Sequence, residues 1–298
     1  MYQSTSYIIL TPSEGLRTYS PKDVRFTQGK RMSRNKNLDE HIESIWEHEQ
    51  QKSLKECSVL ENGPLLRLDN YTIADDGSLV LAVAQTDYQE YKATCVPENR
   101  AVYERKQSGY SHKLFSLEET AKTFAAAFVP ITSDGYLVLL ERSSSVDTCR
   151  GFYNLPSGGR WGGCLDQIYY QMITGNSEMV FKLCSRIVDS KFNFQVNSDS
   201  ISLLGLARTL RTYDYVLQFV TSLLQSSDDI QRSKDDILGN KRKYIDIVMI
   251  PFEETKITDF LNDNSARIPE AIIPEIVIAG AHKFGEEWPL SLHGLEKI

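Results

Sequence analysis

The chain has 298 residues, 41% hydrophobic and 24% charged, with 33 basic against 40 acidic side chains and a net charge of −7. A chain of that length buries a large core without metal or disulfide staples and predicts one to two domains. The acidic balance argues against a dedicated duplex nucleic-acid binder, and the one dense basic run, Lys241-Arg242-Lys243, reads as a solvated loop.

Tyr7 to Leu10 is a short apolar run between polar residues and reads as a strand. Residues 11 to 36 are polar and read as loop with some extended structure. A helix is expected from Asn37, which has Glu40 in capping-box spacing, with Ile42, Ile45 and Trp46 on its apolar face. Asn62-Gly63-Pro64 ends it. Leu65 to Ile73 and Leu79 to Gln85 flank Asp75-Asp76-Gly77-Ser78, a hairpin signal. Residues 96 to 113 read as a connection between two halves. Ser116 and Glu119 form a second capping box. Phe124 to Ile131 and Tyr136 to Glu141 flank Thr132-Ser133-Asp134-Gly135 as a second hairpin, dense enough in apolar residues to be buried. Residues 143 to 163 read as loop, ending in Gly158-Gly159 and Gly162-Gly163. Helices are expected at about 166–174 and 178–190, the second with Val180, Leu183, Ile187 and Val188 on one face. Strands follow near 200–207, 214–222 and 244–252, with a charged insert at 225–243. Helices near 254–262 and 272–283 close the chain. Hairpins mixed with helices predict an α+β class, or a mixed-sheet α/β/α sandwich, with residues 1–113 as an N-terminal α+β accessory region and 114–298 as the main domain.

Five cysteines (Cys57, Cys95, Cys149, Cys164, Cys184) are widely spaced with no CxxC pair, which argues against a disulfide scaffold and a structural zinc site. No apolar run reaches the ~18–20 residues of a membrane span. The first residues lack the charged and apolar regions of a secretory signal. An intracellular location, cytoplasmic or nuclear, is expected, with no membrane and no nucleic-acid partner.

The informative stretch runs from Leu137 to Arg208. It holds Leu139-Leu140-Glu141-Arg142-Ser143, then Gly151-Phe152-Tyr153-Asn154-Leu155-Pro156-Ser157-Gly158-Gly159, a helix, and Leu203-Leu204-Gly205-Leu206-Ala207-Arg208. This resembles the Nudix hydrolase superfamily, whose signature is G, five residues, E, seven residues, then REUxEExGU with U bulky and aliphatic. Ile42 to Glu47, Asn62 to Asp69 and Thr86 to Thr94 are similar to the extra region of its UDP-sugar diphosphatase (uridine diphosphate glucose pyrophosphatase) branch. The resemblance covers nearly the whole chain and implies a Nudix-like fold. It also implies cleavage of UDP-glucose or a related nucleoside diphosphate sugar to UMP and a sugar 1-phosphate, with Mg²⁺ or Mn²⁺ as cofactor. Carboxylates three and four apart share a helical face and can hold such hard cations, which also acidify the attacking water.

The chain departs from the signature where it matters. Counting from Gly158 places Cys164 at the first glutamate and Ile173, Asn176 and Ser177 on the helix glutamates. With an insert before the helix, Ile187 becomes the bulky aliphatic, and Arg186, Asp189 and Ser190 take the glutamate positions. Shifted by one, Arg186 meets the signature arginine and Asn193 the glycine, and Ile187, Ser190 and Lys191 replace the glutamates. Two readings stay open. One is a hydrolase with relocated catalytic and metal-binding acids, Asp189 with Glu178 or with Glu253-Glu254. The other is a non-catalytic nucleotide-binding or protein-interaction module. The resemblance makes Arg142, Arg208, Tyr88, Thr94, Gly158 and Gly159 the candidate substrate contacts.

Overall fold

The computed structural model describes residues 2–3, 7–11, 16–56, 60–108, 116–144, 150–155, 165–239, 244–269, 272–292 and 296–297. The chain opens with β1 (Tyr2–Gln3), β2 (Tyr7–Thr11) and β3 (Val24–Gln28). Next comes α1 (Lys36–Lys55), capped by Asn35, whose side chain accepts the Leu38 N–H at 3.0 Å. The cap is therefore two residues earlier than the spacing of Asn37 and Glu40 suggests. β4 (Pro64–Ile73) and β5 (Leu79–Asp87) form the expected hairpin. Gly77 takes φ 78 in its turn, a left-handed conformation open to glycine, and Asp76 accepts from the Ser78 N–H and hydroxyl at 2.9 and 2.6 Å.

Two helices follow, α2 (Tyr88–Thr94) and α3 (Pro97–Ser108). The second corrects the reading of 96–113 as a connection. Tyr103 is its buried apolar anchor, and polar contacts hold it as well, with Asn99 Nδ2 donating to Lys92 O at 3.0 Å and Arg100 4.4 Å from the Tyr213 ring. β6 (Phe124–Ile131) and β7 (Tyr136–Arg142) are the second hairpin, and β8 (Tyr153–Asn154) adds to β7. α4 (Leu165–Ile173) and α5 (Ser177–Phe192) precede β9 (Ser202–Thr209) and β10 (Tyr215–Ser222). The charged insert forms α6 (Ser227–Arg232) and α7 (Lys234–Leu238). β11 (Tyr244–Pro251), α8 (Glu254–Asp263), α9 (Ile273–Phe284) and β12 (Glu296–Lys297) complete the order.

The strands build two sheets. The large one runs β11-β7-β6-β10-β9-β2-β1-β12 with β8 on β7, and the small one β3-β5-β4. In the large sheet β6 and β10 are parallel, and the other pairings among the described residues are antiparallel. The class is mixed α+β, as expected. One face is covered by α4, α5 and the small sheet, through Met172, Phe181 and Val188 against Phe124, Phe128 and Phe219, continuous with Phe26, Leu68 and Leu81. The other face is covered by α8 and α9, whose Ile257, Ile276 and Val277 meet Val129, Leu139 and Leu204. Full burial of each such side chain stabilises the fold by about 1.5–3 kcal/mol. A third cluster joins α1, α2 and α3 through Leu38, Ile42, Ala93 and Tyr103. Strand β2 lies between β9 and β1 in the large sheet, so residues 1–113 are woven into the main sheet rather than confined to a layer of their own.

Candidate functional site

The two acids singled out for metal binding both lie on α5. From 178 to 189 is 11 positions, or about 16 Å of helix rise. Two carboxylates sharing one Mg²⁺ each stand about 2 Å from it, so this pair cannot hold a single ion. Glu178 is exposed in the first turn and accepts from Lys182 Nζ at 2.6 Å, which holds its carboxyl below the usual range. It lines an open cleft of about 840 Å³ with Lys22, Arg25, Phe181 and Ser202. Asp189 is exposed near the other end of the helix. Glu253 sits at the N-cap of α8 and Glu254 opens it, on the opposite face of the sheet from α5. Among the described residues, no group of three or more His, Cys, Asp or Glu side chains is placed to hold a metal ion. These donors do not fit the metal centre that the resemblance implies.

Arg142 and Arg208 do converge. β7 runs antiparallel to β6 from its hairpin, so its last residue, Arg142, reaches the end of the sheet where β6 begins. β10 starts at the same end, and Tyr215 pairs with both Phe124 and Arg208. Alternation along the strands puts both arginines on the face of Leu140 and Tyr215, toward the small sheet. Three strand spacings separate β7 from β9, at least ~14 Å. Arg142 lies across from Tyr244, whose phenol is pushed up by burial, with the guanidinium pulling the other way. Arg208 lies 5.9 Å from the Tyr215 ring centroid, with Nη1 3.5 Å from its hydroxyl.

The sequence reading missed the residues beside Arg208. Arg67 is 1% exposed and donates to the carbonyls of Lys30, Glu118 and Thr120 and to Asp69 Oδ1. Burial alone would raise the Asp69 carboxyl, but the Lys30 N–H and Arg67 outweigh it and hold it low. Lys122 is buried at φ 40 and donates to Asp69 O at 2.7 Å. Burial, reinforced by Arg67 and Arg208, brings its ammonium down to about 8. Tyr71 sits close enough to Tyr215 and Arg208 to feel both, and burial raises its phenol. Thr-Ala-Lys-Thr-Phe around Lys122 carries no motif, so only the fold reveals this cluster.

Tyr88 and Thr94 stand elsewhere, on α2. Tyr88 packs edge-on against Trp46 and stacks with Tyr91. Thr94 is fully buried. Its hydroxyl donates to Glu90 O at 2.8 Å and accepts the Ala121 N–H at 3.0 Å. Thr94 therefore anchors the segment before β6. Gly158 and Gly159 lie outside the described residues, as do Cys57, Cys149, Cys164 and the basic run 241–243. The loop leading toward those glycines is fixed by Arg267. It donates to Gly151 O from Nε and Nη2, to the Tyr153 hydroxyl at 2.8 Å and to Glu141 at 2.7 Å.

No protein-family model matches the chain, and no curated protein is significantly similar to it. Among the described residues, no helix is long and apolar enough to cross a membrane.

Proposed function

We propose that this chain is a Nudix-like nucleotide-binding module, resembling UDP-sugar diphosphatases, that lacks their metal-dependent hydrolysis. The carrying observation is the end of α5. Asn193 takes φ 53, the left-handed conformation that a glycine closing a helix supplies most readily. Val188 and Phe194 beside it are fully buried, as bulky signature positions would be. These features favour the alignment with Asn193 at the signature glycine. In that alignment Ile187, Ser190 and Lys191 stand where the glutamates belong, and Asp189 falls between them. A lysine there would repel a divalent cation.

Binding is supported by the two arginines on one face of one sheet end. Guanidinium groups match phosphate geometry through paired N–H donors. The ligand class is a nucleoside diphosphate sugar such as UDP-glucose. Buried, free Cys95 suits a reducing intracellular compartment, cytoplasmic or nuclear.

The test incubates the protein with UDP-sugars, ADP-ribose and free nucleotides, with Mg²⁺ or Mn²⁺, following UMP by chromatography and thermal unfolding in parallel. The expected result is a nucleotide-dependent rise in Tm without UMP release. Metal-dependent UMP release that is lost in Asp189→Ala or Glu178→Ala overturns the proposal and restores the relocated-ligand enzyme.

A further inference from the structure

We propose that Arg208, with Lys122, Tyr71 and Tyr215, forms a subsite for a phosphoryl oxyanion at the seam between the two sheets. The assignment deepens the nucleotide-binding reading and rests on it for the identity of the full ligand.

Arg208 carries an unmet hydrogen-bonding group. The Nε of Arg208 is buried and has no hydrogen-bond acceptor among the described residues. Among the described residues its guanidinium makes one long hydrogen bond, from Nη1 to the Tyr215 hydroxyl at 3.5 Å. No carboxylate of the described residues forms an ion pair with Arg208 or Lys122. The nearby acids are committed elsewhere. Asp69 is bound by Arg67 and the Lys30 N–H, and Asp214 accepts from the Thr123 and Thr212 hydroxyls. Glu118 is felt by Lys122 only at longer range. A buried N–H donor without an acceptor is costly, and an anion seated beside it removes that cost.

The backbone gives a second, independent sign. Lys122 and Tyr213 take φ 40 and 57, and both carry a Cβ. They flank the hydrogen bond from Thr123 to Asp214, at the paired starts of β6 and β10. Strained residues of this kind persist where the surroundings impose them, and they cluster at ligand sites. Here they deliver the Lys122 ammonium and the Tyr215 phenol to the same edge as Arg208. A guanidinium, an ammonium and two phenols together supply N–H and O–H donors to a tetrahedral oxyanion. The Lys122 ammonium, buried beside two guanidinium groups, gains a counter-charge when an anion arrives.

Isothermal calorimetry with inorganic pyrophosphate and with UMP tests this on the full chain, using wild type, Arg208→Gln, Arg208→Lys and Arg232→Gln. Wild type and Arg232→Gln are expected to bind both probes. Arg208→Gln is expected to lose about tenfold or more in affinity, and Arg208→Lys to fall between. The unliganded Tm of Arg208→Gln should hold or rise, because the orphaned donor is gone. The inference fails if wild type binds neither probe or if Arg208→Gln binds both as wild type does. It fails equally if Arg208→Gln is destabilised without ligand while Arg208→Lys binds normally. Pyrophosphate binding that depends on Arg208 with no nucleotide binding keeps the subsite and removes the nucleotide reading. Nucleotide binding indifferent to Arg208 does the reverse.

Discussion

Arg267 joins three pieces of chain with one side chain: the short turn after α8, the end of β7 and the loop at Gly151 and Tyr153. Its guanidinium also lies 4.3 Å from the Tyr153 ring centroid. The group is partly exposed, so Arg267→Ala is expected to cost about 1–2 kcal/mol in urea unfolding, less than a buried charged hydrogen bond. Glu275 makes a different prediction. It is fully buried in α9, its Oε2 has no partner among the described residues, and burial pushes its carboxyl up to about 8. The folded protein then holds a proton that the unfolded chain releases near pH 4.5. Stability should fall as pH rises from 4.5 to 8. Lys122, lowered to about 8, acts oppositely above that pH. Between pH 5 and 8 partly buried His282, whose imidazole burial holds low, pulls the other way, so Glu275 is read by comparison: Glu275→Gln should remove the downward part of the slope of Tm against pH. An unchanged slope would mean the carboxyl is already ionised in the fold. Neither residue stands out in the sequence, because burial and partner geometry are made by elements far apart in the chain.

The elements divide by how local their causes are. Both hairpins were legible, since Gly77 and Gly135 announce their turns and the strands need no distant partner to be recognised. α5 was legible from its apolar spacing. α3 was not, because its place is set by Arg100 on Tyr213 and by Arg211 with Glu98, contacts over a hundred residues away. The same distance effect divides the site. Arg142 and Arg208 could be named from short motifs, but their shared sheet end depends on the parallel pairing of β6 with β10. The end of α5 offers a direct check. Asn193→Gly should stabilise by about 0.5 kcal/mol and Asn193→Ala destabilise by about 1 kcal/mol, because only the alanine pays for φ 53 without a compensating side chain. Chemical denaturation midpoints of the two variants would decide it, and equal midpoints would mean that the helix end relaxes.

At the scale of the molecule, one apolar cluster runs through both sheets, from Phe26 and Leu81 to Phe128 and Phe219. Residues 114–298 alone would lack β1, β2, the small sheet and the part of the cover that Phe26, Leu68 and Leu81 supply. Expressed by itself, this fragment is expected to show no cooperative thermal transition by circular dichroism. A sharp transition would show that the main sheet closes without its N-terminal strand. The order of the strands also bears on synthesis. Tyr7 of β2 pairs with Thr209 of β9, about 200 residues later. At ~5–20 residues per second, the ribosome needs ~10–40 s to deliver that partner. For all that time Tyr7-Ile8-Ile9-Leu10 is a β-forming segment without its β9 partner. The nascent chain's exposure to aggregation at β2, and its demand for a chaperone there, lasts until β9 is made.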